Sequence, residues 1–385
     1  MLSLLLALAC TEPAEPDEAA AHDTLGVAAA LAAEGVATWP PESVPLGWNE
    51  SVWAYGVHRL YAASGDAQWR DYYAAWMADE LPAFTGDEPR RFGASDEMSP
   101  AILASVAMLE AGDASLEPIT DAAHGYLDEA PRTAEGAIVH WGPDSVFGDT
   151  RQVWIDSMFM FGVFLLREYE RTGDRAHLER FLEQYELFSR HCRDPDSQLY
   201  RHAYDDETGE NIPTDAVFWA RGNAWVLVAA AELLQVVGPD SPDAAAVLPL
   251  FLAHAEALAD AQADDGLWRT VLNDPYDDPD NYTETAASGL IGYALALGVK
   301  SGALEGERWL EALALAADGI DGRIERSAGG DGDALVVEGT SFGTNPGDYD
   351  YYLSIVQLDD TNLGVGTTVM FLAELDGLDR LEVTK

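Results

Sequence analysis

The chain is poor in cysteine and in cations. Its 385 residues include two cysteines, Cys10 and Cys192, and two lysines, Lys300 and Lys385. Two distant cysteines leave no disulfide framework and no cysteine-based metal site. Lys and Arg together number 21 against 68 Asp and Glu, a formal net charge of −47. Nucleic-acid binding needs clustered cations that replace the counterions of the phosphates, so the composition excludes it. It equally excludes attraction to an anionic membrane surface. No apolar run is long enough to span a bilayer. No HExxH, GxGxxG, P-loop or Ser/His/Asp arrangement is present.

What is present is a large apolar fraction, 48%, enough for a substantial core. The acids are spread along the chain instead of forming a tail. Such a surface suits work in salt, and codon bias against lysine gives the same composition. The start, Met1–Cys10, is apolar and turns abruptly into Thr11-Glu-Pro-Ala-Glu-Pro16. It reads as a short secretory signal, with Leu8-Ala9-Cys10 as a lipoprotein cleavage site and Cys10 as the acylated residue. A plain signal peptide or a misplaced start is the alternative. Residues 1–10 are thus expected to be a leader, 11–23 an acidic Pro/Ala-rich tether and 24–385 a single domain. The expected location is outside the cytoplasm, secreted, periplasmic or held at the cell surface. A monomer is expected.

From Thr24 onward, apolar residues recur at helical spacing, as in Trp53, Gly56, Val57, Leu60 and Tyr61. Gly-Asp turns punctuate them at Gly65-Asp66, Gly112-Asp113 and Gly173-Asp174, with Gly238-Pro-Asp240 as a variant. The glycine is read as closing one helix in a left-handed turn and the acid as capping the next. About twelve helical stretches lie between Thr24 and Leu378, which predicts an all-α fold. Two rings of six helices, an (α/α)6 toroid, would hold them. Longer Gly/Asp/aromatic segments, 86–99, 131–151, 193–218, 264–283 and 320–360, should gather at one end and build a cleft.

Four segments could carry chemistry. In Arg151-Gln-Val-Trp154-Ile-Asp156-Ser-Met-Phe-Met160, the acid is either a helix cap or a buried carboxyl with a raised pKa. In Trp219-Ala-Arg221-Gly222-Asn-Ala-Trp225, Arg221 and Trp225 share a helix face, and Gly222 permits close approach to the backbone. Arg221 offers a fork for a carboxylate or a partner for a local acid. His202, in Leu199-Tyr-Arg-His202, either donates to a substrate oxygen or pins a loop. Gly266-Leu-Trp268 followed by Asn281-Tyr-Thr-Glu284 places a carboxylate at the start of a helix, a common structural pattern. Carboxylate, Arg, His and Trp together suit an acidic sugar.

These segments, in order with Trp48, Asp96-Glu-Met-Ser-Pro100, Arg132-Thr-Ala-Glu-Gly136 with His140, and Tyr351-Tyr352, resemble glycoside hydrolase family 105, the unsaturated rhamnogalacturonyl hydrolases. More distantly they resemble family 88, the unsaturated glucuronyl hydrolases. The resemblance spans roughly Trp48 to Leu375. It implies the toroid fold and an unsaturated uronate-capped oligosaccharide as substrate. It implies no metal and no cofactor. By it, Asp156 is the acid and then the base, protonated at rest, and Asp96 is the second active-site acid. Trp48, Trp154, His202, Arg221 and Trp225 contact substrate; Trp48 stands where members often carry Tyr. The alternatives are a glucuronyl hydrolase acting on ulvan- or glycosaminoglycan-type fragments and a non-catalytic surface sugar-binding lipoprotein.

Overall fold

A computed structural model describes residues 23–378 except 143, 144, 146, 148, 149, 275, 276, 330 and 331. The leader, Cys10 and all of the tether but Asp23 lie outside the described residues. Twelve helices build the body: α1 (Thr24–Thr38), α2 (Trp48–Ser64), α3 (Ala67–Thr85), α4 (Pro100–Ala111), α5 (Glu117–Glu129), α6 (Phe164–Thr172), α7 (Arg175–Cys192), α8 (Ala220–Val237), α9 (Leu248–Asp260), α10 (Thr285–Ser301) and α11 (Glu307–Asp321), with the last at Asn362–Leu375. A short helix, α12 (Tyr349–Leu353), sits in the loop before that last one, α13.

The burial pattern sorts the helices into two rings. Every residue from Ala220 to Leu234 of α8, Thr285 to Gly298 of α10 and Leu363 to Leu375 of α13 is buried. A helix buried all round belongs in the interior. α2, α4, α6, α8, α10 and α13 each pack on the next, and α13 closes on α2. The helices α5, α7 and α11 bury a single stripe and form part of the outer ring with α3 and α9. α1 packs on α13 and completes the sixth pair. The expected (α/α)6 toroid is therefore the observed one. Closure depends on glycine at one contact: a Cβ on Gly56 would stand 2.3 Å from the Gly366 carbonyl oxygen.

The Gly-Asp turns behave as expected at two of four places. Gly65 and Gly173 are left-handed, and Asp66 and Asp174 accept from the amides of Gln68 and Ala176. Gly112 is left-handed, but α5 begins four residues after Asp113 without a side-chain cap. After Gly238, Ser241 and not Asp240 accepts from the next turn, at Asp243.

The long segments each run from the C-terminus of an outer helix to the N-terminus of the next inner one, so they share one end of the ring. Among the described residues, seven short strands lie in these segments or directly after them, which the all-α expectation did not include. β1 (Gln152–Trp154), β2 (Ala203–Asp205) and β3 (Glu210–Ile212) form an antiparallel sheet in that order. β4 (Ile324–Gly329) pairs with β5 (Gly332–Val337), and β6 (Thr340–Ser341) with β7 (Gln357–Leu358).

The inner helices meet around a polar plug. Glu232 of α8, fully buried, accepts from the hydroxyls of Tyr55 on α2 at 2.6 Å and Tyr293 on α10 at 2.5 Å. It also accepts from Arg167 on α6. Burial alone would push its carboxyl up, but Arg167 and Arg59 outweigh it and hold the group below the usual range. Arg59 and Lys300 pair with Glu374 of α13 at 2.7 and 2.9 Å. Removing one partner strands buried charge, which costs about 3–5 kcal/mol. Glu232→Ala should therefore lower stability by about that amount in urea unfolding. Breaking the exposed Arg308–Asp260 pair with Arg308→Ala should cost at most about 1 kcal/mol. Equal losses would mean the plug does not hold the ring.

Candidate active site

Asp156 is placed by the joint between sheet and ring. Trp154 of β1 pairs with Ala203 of β2, and the Ile155 amide donates to the His202 carbonyl at 3.1 Å. The chain then enters a π-helical segment, Met158–Val163, that leads into α6. The amides of Phe159 and Met160 both donate to the Asp156 carbonyl, at 3.0 and 3.3 Å. Asp156 thus stands on the turn that opens the π segment, an irregularity common at functional sites. Gly222 makes room for it: a Cβ there would stand 2.9 Å from Ile155 and 2.8 Å from the Trp219 ring. Asp96 arrives from the neighbouring segment, in a single 3-10 turn ahead of α4.

Two histidines accompany the two acids. His202 Nε2 lies 3.2 Å from Asp156 Oδ2, without the alignment of a hydrogen bond, and His140 Nε2 lies 3.6 Å from Asp96 Oδ2. Trp154 stands between the rings, stacked on His140 at 4.2 Å and edge-on to His202 at 5.8 Å. Behind them, Ser95 Oγ is 2.9 Å from His140 Nδ1, and the Tyr352 hydroxyl is 3.0 Å from His202 Nδ1. Four buried polar atoms here find no hydrogen-bond partner within the protein: Asp96 Oδ1, Asp156 Oδ2, His140 Nε2 and His202 Nε2. Folding leaves such atoms unpaired at a cost of about 1–3 kcal/mol each, and sites of catalysis are where that is tolerated.

The electrostatics separate the acids. Burial, the Asp156 charge and Glu97 push Asp96 well above the usual carboxylate range. Burial acts upward on Asp156 too, but His202 outweighs it and holds this group low. Burial pushes His140 down to about 3, so its ring is neutral. The proton of the pair thus rests on Asp96 in the free protein. The expectation that Asp156 is protonated at rest is corrected: its apolar neighbours are real, but the imidazole beside it decides the sign.

Two expected substrate contacts are placed otherwise. Arg221 is 1% exposed; its terminal nitrogens donate to Glu284 at 3.0 Å, to the carbonyls of Ser341 and Phe342, and to Thr344. Its fork is spent on the loop, so the reading as a carboxylate clamp gives way to one as a positioning residue. Glu284 caps α10 through the Ala287 amide and binds the Ser341 amide. Trp225, four residues on, is 1% exposed and packs on Phe159 in the core, so it offers no open face for a sugar. Trp48, half-buried at the start of α2, lies beside Gly343 of the loop that Arg221 holds. Trp154 and His202 do stand at the carboxylates.

Sequence reasoning named His140, Trp219 and Tyr352 only within the motifs of the resemblance and gave them no role at the site. Trp219 stacks on His202 at 4.3 Å, carries Arg221 over its ring at 4.7 Å and lies parallel to Tyr352. The motifs containing all three were visible; their convergence is a property of the loops. Among the described residues, His124, Glu168 and His177 could face one metal ion. Both Glu168 oxygens, however, are taken by Arg171, one also by Ser105. The cluster shares no residue with the site.

An (α/α)6 ring with two unlike carboxylates at its loop end, flanked by neutral imidazole and indole, defines a glycoside hydrolase of the six-hairpin class. The chain belongs to Glycosyl Hydrolase Family 88, whose model matches residues 31–378. It is 26% identical over 294 residues to an unsaturated rhamnogalacturonyl hydrolase of Bacillus subtilis, YesR, covering 74% of this chain and 79% of that one. It is 30% identical over 170 residues to an unsaturated 3S-rhamnoglycuronyl hydrolase of an Alteromonas species, covering 41% and 38%. A solved family 105 glycoside hydrolase from C. acetobutylicum superposes with a TM-score of 0.78 at 21% identity over 90% of this chain and 98% of that one, a likeness of fold.

The raised Asp96 makes a stability prediction. A carboxyl whose folded pKa exceeds its unfolded value supports the fold at low pH. That support is lost as pH rises through the raised value. Ionising Asp96 therefore opposes folding near neutrality. Asp96→Asn should raise the melting temperature at neutral pH and flatten its fall from mildly acidic pH upward. Parallel curves for variant and parent would show that Asp96 ionises as readily in the fold as out of it.

Proposed function

We propose that the enzyme removes a 4,5-unsaturated uronic acid from the non-reducing end of lyase-generated oligosaccharides, of rhamnogalacturonan type. The observation that carries this is the pair Asp96 and Asp156, one protonated and one ionised, with unpaired oxygens beside Trp154. The rhamnogalacturonyl activity named for the Bacillus subtilis relative supports the substrate class. The chemistry is hydration of a vinyl ether. An acid gives its proton to C4, and water adds at C5 while giving a proton to the base. The resulting hemiketal opens to release the shortened chain. Proton count balances, because the proton spent at C4 returns from water.

Asp156 is the residue that performs both transfers. It holds no proton in the free protein, so it must gain one as substrate arrives. The incoming uronate brings a second negative charge beside a buried carboxylate, which raises its pKa. The resting proton on Asp96 favours a second reading, in which Asp96 is the acid and Asp156 only the base. Asp156→Asn keeps shape but not acidity and should lose about 10²–10⁴-fold in turnover, read as the slower disappearance of the ultraviolet absorbance of the conjugated double bond. Saturated oligosaccharides should not be cleaved. Activity within a few-fold of the parent removes Asp156 from catalysis. An equal loss in Asp96→Asn assigns the acid to Asp96.

We propose further that the enzyme is secreted, periplasmic or held at the cell surface, with Cys10 as lipid anchor; the apolar start that ends in Leu8-Ala9-Cys10 supports this. Mass spectrometry of the mature N-terminus from a host with lipoprotein processing should find lipid on Cys10. An unmodified terminus would make the enzyme a released one.

A further inference from the structure

A cavity of about 480 Å³ lies outside the ring, between α3, α5 and the segment 89–93. Phe84, Phe92 and Tyr126, nearly buried, form its floor. Asp121 and Glu129 stand on the α5 side, Arg90 and Arg91 on the other. Arg91 is ion-paired with Glu129. Arg90 is exposed and has no side-chain hydrogen bond or ion pair, and among the described residues it is the only Arg or Lys of which this is true. In a chain with 68 acids for 21 bases, a cation that contacts no acid stands out; Glu80 feels its charge only from beyond ion-pair distance.

Backbone bonds tie the segment that lines the cavity to the catalytic end. The Gly93 carbonyl accepts from the Gly142 amide at 2.7 Å, Ala94 bridges to Trp141, and the Ser95 amide donates to the His140 carbonyl at 3.0 Å. Tyr126, on the cavity floor, donates its hydroxyl to that same carbonyl at 3.0 Å. Arg90 precedes Asp96 by six residues, which even fully extended chain spans in about 20 Å. We propose that this cavity is a distal subsite in which Arg90 binds an acidic sugar of the leaving oligosaccharide, through a carboxylate or a sulfate ester. The subsite rests on the hydrolase reading given above. A short substrate does not reach it; a longer one does, and Arg90 offers the anion a charge-assisted fork that no acid of the protein occupies.

The test compares Arg90→Ala with the parent on an unsaturated disaccharide and on an unsaturated tetrasaccharide that bears an acidic internal sugar. kcat/KM for the disaccharide should be unchanged, while KM for the tetrasaccharide rises about tenfold or more. A carboxyl-reduced and a desulfated tetrasaccharide tell the two anions apart, since the one whose group Arg90 binds loses the difference between variant and parent. Calorimetric binding of a saturated acidic tetrasaccharide, which needs no turnover, should weaken in the variant by a similar factor. If the parent turns over both lengths and Arg90→Ala changes neither or both equally, the subsite is overturned and the hydrolase stands. If the parent turns over neither, the hydrolase reading falls, and the calorimetry alone decides whether Arg90 binds the anion.

Discussion

The fold depends on one buried ion pair and what surrounds it, Glu232 with Arg167. Six helices closed in a ring must put side chains on a common axis, where no solvent reaches. Apolar residues serve most of that interior, but the plug joins α2, α6, α8 and α10 through a single carboxylate, and Glu374 adds α13. A buried charge is costly unless every lone pair is used. Glu232 meets that condition only when four helices stand in register, so the network specifies register as well as filling space. Lys300, one of two lysines in the chain, serves here.

Register matters because the site is assembled from the inner helices' N-terminal approaches. Asp96 leads into α4, Asp156 into α6, Trp219 into α8 and Glu284 into α10. Short pairings tie neighbouring segments together, β1 to β2, Ala94 to Trp141 and Trp219 to Val271. The ring fixes their origins, and local devices fix their ends: the π segment under Asp156, the missing Cβ of Gly222, and the Arg221–Glu284 pair that holds 341–344. Arg221 therefore acts at a distance from the reacting atoms, through the loop that brings Gly343 against Trp48.

Periodicity made the ring legible. Helices buried on all sides and helices with one apolar stripe differ in sequence, and the long segments alternate with short Gly-Asp turns as the topology requires. The two acids were legible through their motifs. The roles of Arg221 and Trp225 were not, because sequence spacing puts two residues on one face without saying what that face meets. Trp225 meets Phe159 in the core, and Arg221 meets a loop 120 residues further on. The protonation order was hidden for the same reason. Apolar neighbours of Asp156 in sequence argue for a raised pKa, whereas the residue that settles it, His202, stands just ahead of β2, the strand that pairs with β1.

The strongly acidic surface sets a problem that the site answers locally. A uronate-capped substrate approaching a chain of net charge −47 is repelled over about 10 Å at moderate ionic strength, and further in dilute buffer. Binding it on a row of arginines would need cations that the chain has committed elsewhere, to acids and to backbone carbonyls. The site instead sheds charge of its own. Asp96 keeps its proton and Arg221 cancels Glu284, so that Asp156, held against His202, is the carboxylate left ionised to face the substrate. A neutral acid and a neutral imidazole can each donate a hydrogen bond without adding to the repulsion. The same burial that raises Asp96 thus lowers the electrostatic barrier to binding.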